Sequence, residues 1–115
     1  MKTIIAGSRN IYDYGLVEEA VKESGFDITE VVSGKARGVD TLGEMWADNH
    51  KVSVKPFPAD WDRYGKRAGP IRNFQMANYA DALIAIWDFK SHGTKNMIKN
   101  ARYKGLKVYI KAVNY

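Results

Sequence analysis

Five short apolar runs alternate with helical patterns along this chain, and this alternation constrains the fold more than any other feature. The clearest run, 82–87, is apolar at every position, which is typical of a strand buried on both faces. Strands that alternate with helices favour a parallel sheet. The runs are 3–6, 28–33, 52–54, 82–87 and 107–110. The sequence therefore predicts an α/β fold with a five-stranded parallel sheet and helices on both faces.

Residues with helical spacing fill most of the stretches between the runs. Gly25 and Gly105 follow two of these stretches and are typical helix stops. The apolar positions of the four helices are Leu16, Ala20 and Val21; Val39, Leu42, Met45 and Trp46; Phe74, Met76, Ala77 and Ala80; and Met97, Ile98 and Ala101. Residues 60–70 show no clear period, so we expect a long loop there and a helix from Arg72 to Tyr79 after it.

The length and composition set the class of protein. A chain of 115 residues is expected to form a single domain, 1–115. It contains no cysteine, which excludes a disulfide framework, a cysteine-ligated metal site and a thiol nucleophile. The longest apolar stretch, 82–87, is far too short to span a bilayer, and no secretory signal pattern is visible. We therefore expect a cytoplasmic protein without a membrane partner.

The formal net charge of +5 is unevenly distributed. Residues 1–60 carry 7 Lys+Arg and 10 Asp+Glu, whereas residues 61–115 carry 11 and 3. A cationic excess in one half favours an anionic partner, either a phosphate-bearing small molecule or a nucleic acid. The alternative is that the lysines serve solubility, since several of them fall on a solvated helix face.

Glycines and hydroxyl residues follow three of the predicted strands. Because parallel strands end at one edge of the sheet, these segments are expected to converge there. Glycine admits a close ligand, helix N-termini favour anions, and arginine forks onto phosphate oxygens. The segments are Gly7-Ser8-Arg9, the stretch from Ser33 to Asp40, and Asp88 with Ser91-His92-Gly93-Thr94. None has the spacing of a dinucleotide fingerprint or a P-loop. Together they predict a site for a phosphate-bearing ligand.

Asp40 falls near the start of the second helix and has two interpretations. It holds a ribose hydroxyl of a ligand, or it favours the positive helix end and pairs with Arg37. The two histidines, His50 and His92, are far apart in sequence and no third metal ligand is evident. We therefore expect no metal site and no cofactor.

The segment from Trp61 to Asn73 is the other concentrated signal, with several cations and two aromatic residues. One interpretation is an anion clamp, with Arg72 and Asn73 at a helix start and Lys66 and Arg67 on a flexible lid. A second is a surface for single-stranded nucleic acid, with Trp61 and Tyr64 as stacking platforms. A third is a solvated loop. A long loop in so small a domain is more often functional, which favours the clamp.

The order of these motifs resembles the SLOG superfamily of Rossmann-like domains, and most closely its small YAcAr branch. The matching motifs are Gly7-Ser8-Arg9, the stretch from Ser33 to Asp40, Gly69-Pro70-Ile71-Arg72-Asn73, and Gly93-Thr94. The resemblance implies a Rossmann-like three-layer sandwich that binds a nucleotide or a nucleotide derivative over the strand ends. Relatives similar to DNA-processing protein A share the serine–glycine loop and imply single-stranded DNA as a further partner.

The Lonely Guy (LOG) phosphoribohydrolases are another related family. Their Arg-x-x-x-Met segment is matched here from Arg72 to Met76, but their catalytic glutamate position is Met97. A thioether accepts no proton, so the resemblance does not carry hydrolysis by that mechanism over to this chain. The remaining candidates for catalysis are Asp40, Asp88 and Arg72.

These observations lead to three hypotheses about function. The first is binding of a nucleotide or nucleotide-derived phosphate ligand without catalysis. The second is a nucleotide hydrolase that uses Asp40 or Asp88, and the third is binding of single-stranded nucleic acid. A homodimer through an apolar helix face bearing Trp46 or Met97 is a further expectation. The predicted ligand-binding residues are Gly7, Ser8, Arg9, Ser33, Gly34, Lys35, Arg37, Gly38, Asp40, Arg67, Gly69, Pro70, Arg72, Asn73, Gly93 and Thr94.

Overall fold

The protein folds around one parallel sheet of five strands, as a computed structural model that describes residues 1–114 shows. The strand order is β3-β2-β1-β4-β5. The strands are β1 (Lys2–Gly7), β2 (Glu30–Ser33), β3 (Ser53–Pro56), β4 (Ala82–Trp87) and β5 (Lys107–Ala112). All four neighbouring pairs are parallel. The predicted α/β fold with a five-stranded parallel sheet is confirmed.

Five α-helices connect the strands. They are α1 (Tyr14–Ser24), α2 (Val39–Asn49), α3 (Trp61–Tyr64), α4 (Ala68–Tyr79) and α5 (His92–Tyr103), with a 3₁₀ turn at Gly65–Arg67. Side chains of Asp13, Asp60 and Ser91 cap the N-termini of α1, α3 and α5 by accepting backbone N–H groups. No helix within residues 1–114 is long and apolar enough to cross a membrane.

Alternate residues of the central strands build a core on each face of the sheet. On one face Ile4 and Leu83 pack with Met76 and other residues of α4 and α5. On the opposite face Ile5 and Ile84 pack with residues of α1 and α2. Since successive side chains of a strand point to opposite faces, a strand with a core on both sides is apolar throughout. This is why the central strands are the clearest feature of the sequence.

Residues 60–70 were expected to form a long loop with a flexible lid. This expectation is wrong, because the segment is mostly helical. Asp60 caps the single turn of α3 by accepting the backbone N–H of Arg63 at 3.1 Å, and the 3₁₀ turn leads directly into α4. Pro70 lies in the first turn of α4, where a helix tolerates proline because the N–H group there has no partner within the helix. The helix therefore begins at Ala68, four residues before Arg72.

The strands are all parallel, but the side of the sheet to which successive strands are added changes between β1 and β4. From β1 the chain builds outward through β2 and β3 on one side, and β4 and β5 lie on the other side. In open α/β sheets this switch point leaves a crevice outside the carboxyl ends of the two central strands, and ligands bind there. The fold therefore directs attention to the residues that follow Gly7 and Trp87.

Candidate functional site

A cavity of about 440 Å³ opens at the switch point, at the carboxyl ends of β1 and β4. This volume lies within the range of small-molecule sites, which is roughly 300–1,000 Å³. The residues that line the cavity are Ala6, Gly7, Ser8, Arg9, Asn10, Ala36, Arg37, Asp40, Arg72, Asn73, Met76, Asp88, Lys90, Ser91, Gly93, Thr94 and Met97. The segments after β1, β2 and β4 therefore converge on one cavity, as the sequence predicted.

The turn after β1 joins the two central strands to the start of α2. The Ser8 N–H donates to the carbonyl of Ile86 on β4 at 3.4 Å, and the Ser8 carbonyl accepts the first N–H of α2, from Val39, at 3.2 Å. A Cβ atom at Gly7 would clash with the Ile86 carbonyl and with the Val39 side chain. Glycine at position 7 therefore allows α2 to begin directly beside the cavity.

The loop between β2 and α2 uses some of its backbone N–H groups within the protein. The Lys35 N–H donates to Ser33 Oγ at 3.1 Å, and the Ala36 N–H donates to Asp40 Oδ2 at 3.2 Å. These two amides are therefore engaged and do not face an anion as free donors. From this loop it is the exposed Arg37 side chain that supplies positive charge to the cavity.

Asp40 lines the cavity although only 6% of its surface is exposed. Burial in this wall raises the pKa of Asp40 from 3.8 to about 6, opposed by the Ala36 N–H and the nearby Arg72 charge. Arg37, the partner considered from the sequence, forms no ion pair with it within residues 1–114. Asp40 is therefore a wall residue that is available to a ligand in the cavity.

Arg72 and Asn73 reach the cavity from the second turn of α4, not from its start as expected from the sequence. Arg72 is 8% exposed; its Nη1 donates to the carbonyl of Gly34 and its Nε donates to Asn73 Oδ1 at 2.9 Å. Asn73 Nδ2 donates to Asn96 Oδ1 at 3.0 Å and to the Gly93 carbonyl at 3.3 Å. This chain of hydrogen bonds fixes both side chains. It also connects helix α4 to the loop after β2 and to the first turns of α5.

The turn after β4 forms another part of the cavity wall. Asp88 Oδ1 accepts the N–H groups of Lys90 at 2.9 Å and Ser91 at 3.0 Å, and the Lys90 hydrogen bond lowers the pKa of Asp88. Ser91 Oγ accepts the Thr94 N–H at 3.2 Å, so this amide is also engaged. A Cβ atom at Gly93 would meet nothing within 4 Å, so the start of α5 leaves open space beside the cavity.

The remainder of the lining is apolar. Met76 and Met97 are each 1% exposed, and they line the cavity together with Ala6. Met97 therefore occupies the cavity wall at the position where the LOG resemblance placed a glutamate, and it supplies no carboxylate. Of the two acids considered for catalysis, Asp88 is held by backbone N–H groups with a lowered pKa, whereas Asp40 is buried with a raised one.

The structure brings most of the predicted ligand-binding residues to the cavity and leaves the others outside its lining. Ser33 and Lys35 turn toward Glu44, with Ser33 Oγ donating to Oε2 at 2.6 Å and Lys35 Nζ to Oε1 at 2.8 Å. The residues in the lining are Gly7, Ser8, Arg9, Arg37, Asp40, Arg72, Asn73, Gly93 and Thr94. Those outside it are Ser33, Gly34, Lys35, Gly38, Arg67, Gly69 and Pro70.

Of the residues outside the lining, Gly38 still shapes the site. Gly38 has a φ of +75°, and a Cβ atom there would clash with the Ser8 carbonyl, so glycine is needed for the approach of the two loops. A Cβ atom at Gly69 would make ordinary van der Waals contact with the Trp61 ring at 3.5 Å, so packing against Trp61 does not require glycine there. Lys66 and Arg67 are exposed on the 3₁₀ turn rather than on a lid over the cavity.

Apart from Asp88, a candidate for catalysis, seven lining residues are absent from the predicted set: Ala6, Asn10, Ala36, Met76, Lys90, Ser91 and Met97. Asn10, Lys90 and Ser91 each lie close in sequence to residues that were selected, and their position in the predicted turns is the signal that identifies them. Met76 follows Arg72 by four residues, and this spacing places both side chains on one helix face. Residues 1–114 contain no group of three or more His, Asp or Glu side chains arranged to hold a metal ion.

The expected apolar face for self-association is wrong. Trp46 is 8% exposed and Met97 is 1% exposed, so both side chains are part of the core of one chain. The larger exposed apolar side chains are Tyr12, Met45, Trp61, Tyr64, Phe74, Phe89 and Tyr103.

Comparisons with known proteins agree with the fold. The model of the YAcAr family, described as the YspA, cpYpsA-related SLOG family, matches residues 1–64. The Gene 61 protein of Mycobacterium phage D29 is 32% identical over 117 aligned positions, which cover 93% of each chain. The X-ray structure of DNA processing protein A (DprA) from Streptococcus pneumoniae superposes with a TM-score of 0.75 at 20% identity. That match covers 95% of this chain and 49% of the other, so the chain spans about half of DprA.

The similarity to DprA shows the fold, and it confirms the Rossmann-like architecture that the motifs implied. The family model and the phage relative together extend over nearly all of the sequence. The chain belongs to the YAcAr (YspA, cpYpsA-related SLOG) family.

Proposed function

We propose that the protein binds a nucleotide or a nucleotide-derived phosphate ligand in the cavity at the switch point of the sheet. The observation that carries this proposal is the pair of exposed arginines, Arg9 and Arg37, at a cavity of ligand size. Neither arginine forms an ion pair within residues 1–114. Two unpaired guanidinium groups at one opening favour a ligand with phosphate or carboxylate oxygens.

The backbone contributes less to this proposed site than the glycine-bearing turns suggested. The N–H groups of Lys35, Ala36 and Thr94 already donate to side chains of the protein. Recognition of the anion therefore falls mainly to the arginine side chains. The apolar lining at Met76 and Met97 suits the uncharged part of such a ligand.

Calorimetry and thermal denaturation with nucleoside mono-, di- and cyclic phosphates test the proposal. A ligand present at 100 times its dissociation constant is expected to stabilise the folded protein by about 2.7 kcal/mol. The variant Arg37→Ala removes a charge-assisted contact worth about 1.5–3 kcal/mol and is expected to weaken binding at least tenfold.

Arg102→Ala is the matched control, because it removes the same charge from an exposed arginine in the last turn of α5. It is expected to bind the ligand as the wild type does. No stabilisation by any of these ligands at millimolar concentration, or equal losses in the two variants, would contradict the proposal.

A second candidate function is binding of single-stranded nucleic acid, favoured by the surface of residues 61–67. Trp61 and Tyr64 are 50% and 37% exposed. The Arg9 guanidinium lies 5.8 Å from the centre of the Trp61 ring, and the Arg63 guanidinium lies 5.1 Å from that of Tyr64. Exposed aromatic rings beside cations are the elements on which unpaired bases stack while their phosphates are neutralised.

Fluorescence anisotropy with a labelled oligothymidylate tests this second candidate at several salt concentrations. Binding is expected to weaken as salt rises, and Trp61→Ala is expected to remove about 1–3 kcal/mol of stacking free energy. Tyr12→Ala removes an aromatic side chain that is 65% exposed outside residues 61–67 and serves as the control. Absence of binding at low salt would eliminate this function.

A further inference from the structure

Asp40 presents one unused oxygen to the cavity. Its Oδ2 accepts the Ala36 N–H, whereas Oδ1 has no hydrogen-bond partner within residues 1–114. No enclosed side-chain oxygen or nitrogen in this part of the chain lacks a partner, so Oδ1 is in contact with solvent. Because Asp40 is 6% exposed and lines the cavity, the cavity is where its Oδ1 meets solvent or a ligand.

Arg72 presents an unused donor in the same way. Its Nη1 and Nε are engaged by the Gly34 carbonyl and by Asn73, and its Nη2 makes no hydrogen bond among the described residues. The side chain is 8% exposed and lines the cavity. A buried guanidinium with one free nitrogen offers hydrogen bonds to a neutral oxygen acceptor or to an anion.

The charged groups of Asp40 and Arg72 both pack against Gly34. A Cβ atom on Gly34 would lie 2.7 Å from Arg72 Nη1 and 2.9 Å from Asp40 Oδ2. The groups nevertheless form no direct ion pair within residues 1–114. They constitute a fixed acceptor beside a fixed donor, and this arrangement matches a ligand group that contains both an O–H and an oxygen acceptor.

A sugar diol is such a group, and the positions of Arg37 and Asp40 in one cavity favour it over a nucleobase edge. Arg37 and Asp40 are three residues apart at the start of α2. Arg37 is exposed whereas Asp40 is buried in the same cavity, so a ligand whose phosphate contacts Arg37 is expected to place the adjoining group toward Asp40. In a nucleotide this group is the sugar. The Asp40 carboxylate also repels phosphate from the inner wall, which keeps the anion at Arg9 and Arg37.

We propose that the inner wall of the cavity recognises ribose, with Asp40 accepting a hydrogen bond from the 2′-hydroxyl and Arg72 donating to a sugar oxygen. This inference rests on the proposed function, since it requires a nucleotide phosphate at the mouth. It specifies the ligand as a ribonucleotide. It also specifies the orientation of the ligand, with the phosphate at the exposed Arg9 and Arg37 and the sugar at the buried Asp40 and Arg72.

Calorimetry with AMP, GMP, CMP and UMP, each beside its 2′-deoxy counterpart, tests the inference on the wild-type protein. The tightest ribonucleotide is expected to bind at least tenfold more tightly than its deoxy form, as for loss of one hydrogen bond to a charged group. Asp40→Asn is expected to reduce this ratio by most of its value. Asp48→Asn, which removes the same charge from the exposed side of α2, is the control and is expected to leave the ratio unchanged.

The outcomes separate the two proposals. If no nucleotide and no inorganic phosphate binds, the proposed function fails and the inference fails with it. If nucleotides bind but the ribo and deoxy forms bind equally, the inference alone is overturned. Asp40→Asn could instead remove a preference among the four bases and leave the ribo-to-deoxy ratio unchanged. That result would assign Asp40 to the base and would also overturn the inference. The wild-type comparison requires no variant to fold.

Discussion

Replacing Asp40 with asparagine is expected to stabilise the unliganded protein at neutral pH. Asparagine has nearly the same shape and keeps an oxygen that accepts the Ala36 N–H, but it carries no charge. Asp40 is buried at the cavity wall, and its main local support is that one N–H group together with the nearby Arg72 charge. Burial of an ionised carboxylate with so few partners is unfavourable.

The size and sign of this effect follow from the pKa of Asp40. Burial raises it from 3.8 to about 6, so the folded state holds the proton more tightly than the unfolded state does. The stability that this group contributes is therefore greatest below pH 4 and decreases as the pH rises to about 6. Since one pKa unit corresponds to about 1.4 kcal/mol, ionised Asp40 lowers the free energy of unfolding by about 3 kcal/mol above pH 7.

Chemical denaturation at pH 7.5 and pH 4 measures this difference. Asp40→Asn is expected to be more stable than the wild type by up to about 3 kcal/mol at pH 7.5, and the difference is expected to nearly vanish at pH 4. Asp48→Asn changes the same charge on the exposed side of α2 and is expected to change stability by less than about 0.5 kcal/mol. A variant no more stable than the wild type at pH 7.5, or a difference that is the same at both pH values, would refute the reasoning.

Two further predictions concern the scaffold and are checked by the same denaturation measurements. Leu83→Ala empties a fully buried position on β4 and is expected to cost about 2–5 kcal/mol, whereas Tyr12→Ala, at a site 65% exposed, is expected to change stability by less than about 0.5 kcal/mol. Gly38→Ala is expected to cost more than about 1 kcal/mol, because its φ is +75° and the new methyl group meets Ser8; Gly93→Ala, with open space around it, is expected to be neutral or slightly stabilising. Equal effects within either pair would contradict the corresponding prediction.

The sheet was largely predictable because its central strands are buried on both faces. The apolar run 82–87 coincides with β4 as observed, and the parallel arrangement follows from the alternation of strands with helices. The edges were less well defined: β2 begins at Glu30 rather than at Ile28, and β5 continues to Ala112. Edge strands pack on fewer neighbours, so their apolar pattern gives weaker bounds.

The local structure of 61–70 was not predictable from periodicity. Helix α3 is a single turn, which is too short to show a period. Its Trp61 lies beside Arg9, a residue remote in sequence. The predicted loop included Pro70 and the predicted helix began at Arg72, although Pro70 lies in the first turn of α4. The sequence contains the cap at Asp60, but a lone aspartate before a tryptophan is a weak signal.

The candidate site was predictable in its location but not in its internal contacts. Three glycine-bearing turns at the strand ends identified the edge of the sheet at which the cavity lies. Which of their amides are free depends on where the Ser33, Asp40 and Ser91 side chains turn. The pKa of Asp40 depends in addition on the charge of Arg72, which opposes the effect of burial and lies on another element 32 positions along the chain. Such arrangements arise from tertiary packing and leave no spacing pattern in the sequence.

The hydrogen bond from Arg72 to the Gly34 carbonyl has a mechanical consequence. Arg72 belongs to α4, which packs on one face of the sheet, and Gly34 leads into α2, which packs on the other. Elsewhere the strands separate these two layers, but here a single side chain passes the sheet edge and fastens one layer to the other. A molecule that contacts Arg72 therefore restrains both layers at once, and slower amide hydrogen exchange in α2 and α4 together would be its signature.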